Sequence, residues 1–168
     1  MSAIGRDSLD FRRAWSYALW LLGRKAYSEQ QLREKLLGKT TPEVTTRVIK
    51  RLTELELIDD SAFAQGYVNS RQDRRGRARL RRELQQRGVA EADIEAALTP
   101  LDEQQQLAAA RAVLERNAWR FKRGGQRQRR ARAFTFLRRR GFALEVIQDA
   151  LEGMIRQEEE LDPSEGFG

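Results

Sequence analysis

Asp59 and Asp60 form an adjacent acidic pair inside a recognisable local pattern, and paired carboxylates are a common source of acid–base chemistry. The pair stands just before the apolar spacing of Phe63 and Tyr67, where a carboxylate serves the free amides at a helix start. Asp59 or Asp60 is therefore expected to cap a helix rather than to catalyse. Little other catalytic chemistry is available. The 168-residue chain has no Cys and no His, which excludes disulfides, zinc fingers, thiol nucleophiles and Ser-His-Asp triads. It has no phosphate-cradling glycine-rich loop of the P-loop type, so ATP hydrolysis by this chain is not expected. No catalytic residue, metal ligand, cofactor or small-molecule substrate is assigned.

What remains is guanidinium chemistry. Lys and Arg number 32 against 25 acidic residues, for a net charge of +7, so an anionic partner is expected: nucleic acid, or a protein that holds it. The charge is concentrated. Residues 71–87 hold eight Arg and two acids, and residues 111–140 hold twelve basic residues and one acid, whereas residues 1–70 are close to balance. On a helix carrying Leu80 and Leu84, Arg79 and Arg82 fall on the opposite side from the leucines. Arg132 and Arg139 likewise point away from Phe134 and Leu137. The candidate partner- and DNA-binding residues are Arg71, Arg74, Arg75, Arg79 and Arg82 from the first stretch, and Lys122, Arg123, Arg127, Arg132 and Arg139 from the second.

The elements that must position these side chains are all helical. No run shows the alternation of a half-buried strand, and two of the three prolines stand where a helix would begin. The spacing predicts a helix over about 8–24 that buries Phe11, Trp15, Leu19 and Leu22. Ser28 with Gln31 is a capping box opening a second helix on Leu32 and Leu36, and Thr41 with Pro42 opens a third over Val44, Val48 and Leu52. The pattern then recurs through Phe63 and Tyr67, through Leu80 and Leu84 as far as Gly88, and through Ile94 and Leu98. Thr99 and Pro100 are expected to start a third round, with helices over about 101–119, 125–140 and 144–157.

These groups are also alike in sequence. A shift of 53 places Leu84, Arg87, Gly88, Val89, Ile94 and Leu98 on Leu137, Arg140, Gly141, Phe142, Ile147 and Leu151. A weaker shift of 48 places Trp15, Leu19, Leu32 and Leu36 on Phe63, Tyr67, Leu80 and Leu84. The expected fold is all-α: three tandem three-helix repeats forming an elongated, curved, solenoid-like array. The expected units are 1–56, 57–99 and 100–157, followed by an acidic tail, 158–168, expected to be mobile. Trp15, Trp20, Phe63, Tyr67, Phe134 and Phe142 are assigned to the core. Trp119 and Phe121, interleaved with Arg116, Arg120, Lys122 and Arg123, stay open between core and contact surface.

The longest apolar stretch, Tyr17 to Leu22, falls far short of the roughly 20 residues of a membrane span, and Arg12 and Arg13 interrupt anything like a signal-peptide core. A soluble, cytoplasmic protein with no membrane partner is expected.

Three segments together resemble one family. LIDDSAFAQGYVNSRQDRRGRARLRRELQQRGV from Leu57 to Val89 resembles the central signature of RecX, the bacterial regulatory proteins that restrain the recombinase RecA. RKAYSEQQLREKLLGK from Arg24 to Lys39 and AFTFLRRRGFALEVIQDAL from Ala133 to Leu151 are similar to it as well. The resemblance implies a non-enzymatic inhibitor that lies in the groove of the RecA filament on single-stranded DNA. It further implies suppression of the filament's ATPase, strand exchange and stimulation of repressor self-cleavage, and so a role in recombinational repair and the SOS response. The acidic tail and the arginine-rich third unit depart from the family pattern. A second function class fits the residues alone: a direct nucleic-acid-binding protein whose arginines neutralise phosphates with no protein partner. Salt separates the two, because phosphate contacts weaken steeply with ionic strength.

Overall fold

The computed structural model describes the backbone of residues 3–161 and the side chains of residues 9–154. Nine α-helices and no strand occur among the described residues. They are α1 (Ala3–Leu22), α2 (Glu29–Leu37), α3 (Pro42–Glu54), α4 (Asp60–Asn69), α5 (Arg77–Gln85), α6 (Glu91–Leu98), α7 (Glu103–Arg116), α8 (Gln126–Arg139) and α9 (Leu144–Leu161), with a 3₁₀ turn at Ala118–Phe121. Helix α9 thus continues past residue 157. The expectation of a mobile acidic tail falls, for residues 162–168, outside the described residues.

Local side chains set the starts of α2, α3, α4 and α7. Ser28 Oγ accepts from the Gln31 amide at 3.2 Å while Gln31 Oε1 accepts from the Ser28 amide at 3.3 Å, the reciprocal pair expected at α2. Thr41 caps α3 through Val44 N at 3.4 Å, with Pro42 in the first turn, where no amide is needed. Asp59 caps α4, its Oδ1 accepting from Ala62 N at 2.9 Å. The third round starts later than expected. Asp102, not Thr99 with Pro100, caps α7 through Gln105 N at 2.7 Å, because residues 98–102 are used in turns that return Leu101 to the core. That helix also stops at Arg116 rather than Trp119. The Asn117 side chain donates to Val113 O at 2.7 Å, satisfying a terminal carbonyl, and the chain tightens into the 3₁₀ turn that buries Phe121.

The residues pack into two compact bodies. One takes the chain up to Gly66 together with Leu84–Ala97; the other takes Tyr67–Glu83 and the chain from Leu98 onward. The core of the first is built on Leu32, Leu36, Val48, Ile49 and Leu52. Its α1 contributes Ala14, Ala18 and Leu21, not the stripe of large residues expected from spacing. Phe11, Trp15 and Leu22 are only partly buried, and Leu19 and Trp20 are exposed, Trp20 by 55%. Small side chains at the centre let the helix backbone approach its neighbours closely, which moves the aromatic residues to the margins. The core of the second body is built on Val113, Leu137, Phe142, Ile147 and Leu151, with Phe121 closing one side.

One joint is made twice, once inside each body. In the first, Ser28 Oγ, at the start of α2, donates to the carbonyl of Arg87, just past the end of α5. In the second, Gly76 N, at the start of α5, donates to the carbonyl of Arg140 at 2.8 Å, and Ala78 N to that of Gly141 at 3.2 Å, just past the end of α8. Ser28 maps on Gly76 by the shift of 48, and Arg87 on Arg140 by the shift of 53. The glycine after each arginine has positive φ, +73° at Gly88 and +83° at Gly141, a region that disfavours any Cβ. The buried apolar positions of the 53-residue shift agree as well, since Leu84, Leu137, Ile94, Ile147, Leu98 and Leu151 are all in the core. The 48-residue shift holds for Leu32, Leu36, Leu80 and Leu84 and fails at exposed Leu19 against buried Tyr67.

A Cβ on Gly141 would collide with the backbone nitrogen and Cβ of Arg79, whereas one on Gly125 would meet nothing within 4 Å. Gly141→Ala is therefore expected to destabilise by at least about 2 kcal/mol and Gly125→Ala by no more than about 0.5 kcal/mol, read from urea unfolding midpoints. Equal midpoints would mean that the joint contributes nothing.

Candidate functional site

All ten basic residues singled out from the sequence lie in the second body, and the structure divides them into two groups. Arg71, Arg75 and Arg79 are half-buried and held by internal partners. Arg71 lies over the Tyr67 ring at 3.9 Å and donates to Ser70 Oγ at 2.5 Å. Arg75 pairs with Glu83 and also donates to the Tyr67 hydroxyl at 3.2 Å. Arg79, which spacing places facing outward, donates from Nε to Glu83 Oε1 at 2.9 Å and from Nη1 to Arg139 O at 3.3 Å. It braces the joint, because helix α5 presents this position to the end of α8 as well as to solvent. Arg74, Arg82, Lys122, Arg123, Arg127, Arg132 and Arg139 form the second group, exposed on the surface.

Glu83 organises the first group. Burial alone would push its carboxyl up, but hydrogen bonds from Arg79, Tyr67 and Arg75 outweigh this and hold it below the usual glutamate value. Tyr67 donates its hydroxyl to Glu83 Oε2 at 2.9 Å, so one carboxylate receives three donors from the loop and helix around it.

Beside this network stand three arginines that spacing did not select. Arg140 lies over the Phe136 ring at 4.6 Å and donates to Arg74 O at 3.1 Å. Arg120 lies over Phe136 at 5.2 Å, and Arg116 donates to Asp73 O at 2.9 Å. Burial disfavours the charged form of Arg140, and repulsion from Arg79, Arg120, Arg116 and Arg75 adds to it, so its pKa is lowered. Guanidinium groups stay charged far above neutral pH, so the arrangement is a concentrated positive field with Glu83 as its internal counter-charge. The repeat itself carried the missed signal: Arg140 is the equivalent of Arg87 at the shift of 53, and both are half-buried.

The aromatic residues left open by the sequence also separate. Phe121 is buried, with its ring edge-on to Phe136 at 5.4 Å, whereas Trp119 is 70% exposed. Trp20 is not the core residue expected; it stacks on Tyr17 at 6.0 Å, and the Arg24 guanidinium lies 4.9 Å from its ring.

The acidic pair takes structural partners on both sides. Asp59 caps α4, and Asp60 Oδ1 accepts from Glu29 N at 2.7 Å, so its carboxylate serves the start of α2. Burial raises the Asp60 pKa, opposed by that amide and assisted by the charges of Glu29, Asp93 and Asp59. Among the described residues no group of Asp and Glu is arranged to hold a metal ion, and no helix is long and apolar enough to cross a membrane.

The lowered Glu83 pKa gives a pH signature. A carboxyl more acidic in the folded than in the unfolded chain contributes stability above its unfolded pKa, and this is lost as pH falls through the folded value. Glu83→Gln is expected to be less stable than the wild type at neutral pH. The gap should close from the usual glutamate range downward, as followed by thermal unfolding across pH. A gap that stays constant would mean that the Glu83 charge is not what holds the network.

Models of the RecX first, second and third three-helix domains match residues 14–52, 59–98 and 103–151. The chain is 38% identical to the regulatory protein RecX of Streptomyces coelicolor over 170 residues, 96% of this chain and 88% of that one. It is 36% identical to a regulatory protein RecX of Thermus thermophilus over 137 residues, 82% of this chain and 89% of that one. The crystal structure of RecX from Lactobacillus salivarius has the same fold, with a TM-score of 0.77 at 20% identity over 89% of this chain and 99% of that one. A second crystal structure, of a regulatory protein RecX, also gives 0.77, at 27% identity over 83% of this chain and 71% of that one. With all three domains matched in order by helices of the expected all-α tandem-repeat fold, the chain belongs to the RecX family of regulatory proteins.

Proposed function

We propose that this protein is a non-enzymatic negative regulator of RecA. It binds in the groove of the RecA filament on single-stranded DNA and suppresses the filament's ATPase, strand exchange and coprotease activities. In this reading it acts in the cytoplasm and modulates recombinational repair and the SOS response. Its three three-helix units, 1–56, 57–99 and 100–157, work as a tandem array, and the basic surfaces of the second and third units face the filament. The family supplies the regulatory role; the observation that carries the choice of partner is the arginine-lined surface of the second body. Residues 111–140 place twelve basic side chains against one acid, and Arg123, Arg127, Arg132 and Arg139 reach solvent. Such a field attracts a polyanion, and single-stranded DNA wrapped by protein offers one in a groove.

Cosedimentation with RecA filaments, together with the filament's ATPase rate, tests the proposal. Reversing Arg123, Arg127 and Arg139 to Glu is expected to raise the concentration needed for half-inhibition by about ten-fold or more, while the unfolding free energy stays within about 0.5 kcal/mol of the wild type. Arg79 is left intact because it braces the joint. Reversal of exposed Lys35, Lys39 and Lys50 in the first body, the same change in net charge, serves as the control. Equal loss of inhibition in both variants would reduce the effect to long-range charge and overturn the assignment of the site. A wild-type protein that leaves the RecA ATPase unchanged would overturn the function.

A further inference from the structure

Trp119 projects into water from a turn that is otherwise pinned. Its neighbour Phe121 is buried, and the Phe121 carbonyl accepts from Arg129 Nε at 2.8 Å. Upstream, Arg120 N donates to Asn117 O at 2.9 Å while the Asn117 side chain closes the end of α7 at Val113 O. Downstream, the Arg132 guanidinium donates to the Arg123 carbonyl. Burial of Phe121 accounts for the turn, and nothing in its packing needs a tryptophan at position 119. A 70% exposed indole in a held position keeps aromatic surface open to water beyond what the Arg120 guanidinium over its ring covers.

Its surroundings distinguish what could use that face. Arg120 lies 5.6 Å from the indole centroid, and exposed Arg116, Lys122 and Arg123 are its near neighbours along the chain. Among the described residues of this body, the other exposed large apolar side chain is Leu144, on a different element. Protein-binding hot spots cluster in well-packed pockets ringed by contacts that exclude water, and among the described residues no second exposed aromatic or large apolar side chain stands beside Trp119 on its turn to build one. A lone aromatic ring set among cations is instead the chemistry that receives an unpaired base, the ring stacking on the base while the cations neutralise the adjoining phosphates. The contrast with Trp20 is instructive, since Trp20 shares its body with exposed Leu19 and Leu37.

From this we infer that Trp119 is a stacking platform for an unpaired nucleobase, flanked by Arg116, Arg120, Lys122 and Arg123 as phosphate-neutralising groups, so that the protein contacts single-stranded nucleic acid directly and prefers it to duplex. The inference deepens the proposed function at its own surface and relies on that reading only for the strand being part of a RecA filament. A duplex keeps its bases stacked on one another and offers no free face, whereas its phosphates remain available to the arginines. Stacking and charge therefore separate by substrate and by salt.

The test is the affinity of the full-length protein for oligothymidylate and for a duplex of equal length, measured by fluorescence anisotropy across a salt series, with circular dichroism to confirm folding. Trp119→Ala is expected to weaken oligothymidylate binding by about ten-fold with the salt slope unchanged, because stacking releases no counterions. It should leave duplex binding as it was, and Trp119→Phe should recover most of the loss. Arg123→Gln should instead reduce the salt slope by about one on both substrates. Unchanged oligothymidylate binding by Trp119→Ala overturns the inference, as does an equal loss on single strand and duplex. Loss of RecA-filament binding with normal oligothymidylate binding also overturns it, making Trp119 a protein contact. If Trp119-dependent single-strand binding is present in a protein that does not slow the RecA ATPase, the inference stands and the proposed function fails.

Discussion

A helix start seated on the carbonyl that follows an arginine-rich helix is the constraint on which the rest of this structure depends. In one body Ser28 reaches the Arg87 carbonyl, and in the other the Gly76 amide reaches that of Arg140. Both seats need the chain to turn sharply at once, and Gly88 and Gly141 supply the left-handed backbone that allows it. At Gly141 the turn passes so close to Arg79 that a side chain would displace the backbone of α5. The acceptors in both joints are main-chain carbonyls, met by the Ser28 hydroxyl in one body and by main-chain amides in the other, so most of the geometry varies little with side-chain chemistry. The side chains of the same helices are thereby left to carry charge.

That division explains why so many arginines coexist with a small core. In the second body a single carboxylate, Glu83, gathers Arg75, Arg79 and the Tyr67 hydroxyl, while the Phe136 ring accommodates Arg120 and Arg140 around it. Backbone carbonyls of Asp73, Arg74 and Arg139 take further guanidinium donors. Arginine suits this role because its donors are fixed in a plane and its charge survives partial burial, whereas a lysine would lose the bidentate geometry and the stacking. The interior network holds the field together, and the exposed arginines of α8 and its preceding turn project it outward.

Two chemically different surfaces follow in the two bodies. The first is near electrical balance and exposes Leu19, Trp20 and Leu37, while the second exposes a tryptophan amid cations. A regulator that must recognise both protein and the strand held by that protein would need two such kinds of contact. The proposed function assigns the strand to the second.

The sequence determined that the fold is helical, the caps of α2, α3 and α4, and the repeat, but not the start of α7, where Asp102 rather than Thr99 with Pro100 is the cap. Capping at Ser28 and Thr41 depends on residues three positions apart, and the recurrence of Leu84, Gly88 and Ile94 at Leu137, Gly141 and Ile147 depends on a fixed shift, so both are visible in one dimension. Periodicity also marked which side of α8 carries the charge, because spacing fixes facing within one helix. It could not say which large residues the core takes when small ones compete, and so misplaced Leu19 and Trp20 and passed over Ala14 and Ala18. Nor could it separate an arginine that braces a joint from one that meets solvent, since Arg79 and Arg82 look alike until the carbonyl of Arg139 and the backbone of Gly141 arrive beside the first from about sixty residues away. Whether a given side chain is free or engaged is decided by what the rest of the chain packs against it, and that is a property of the tertiary structure alone.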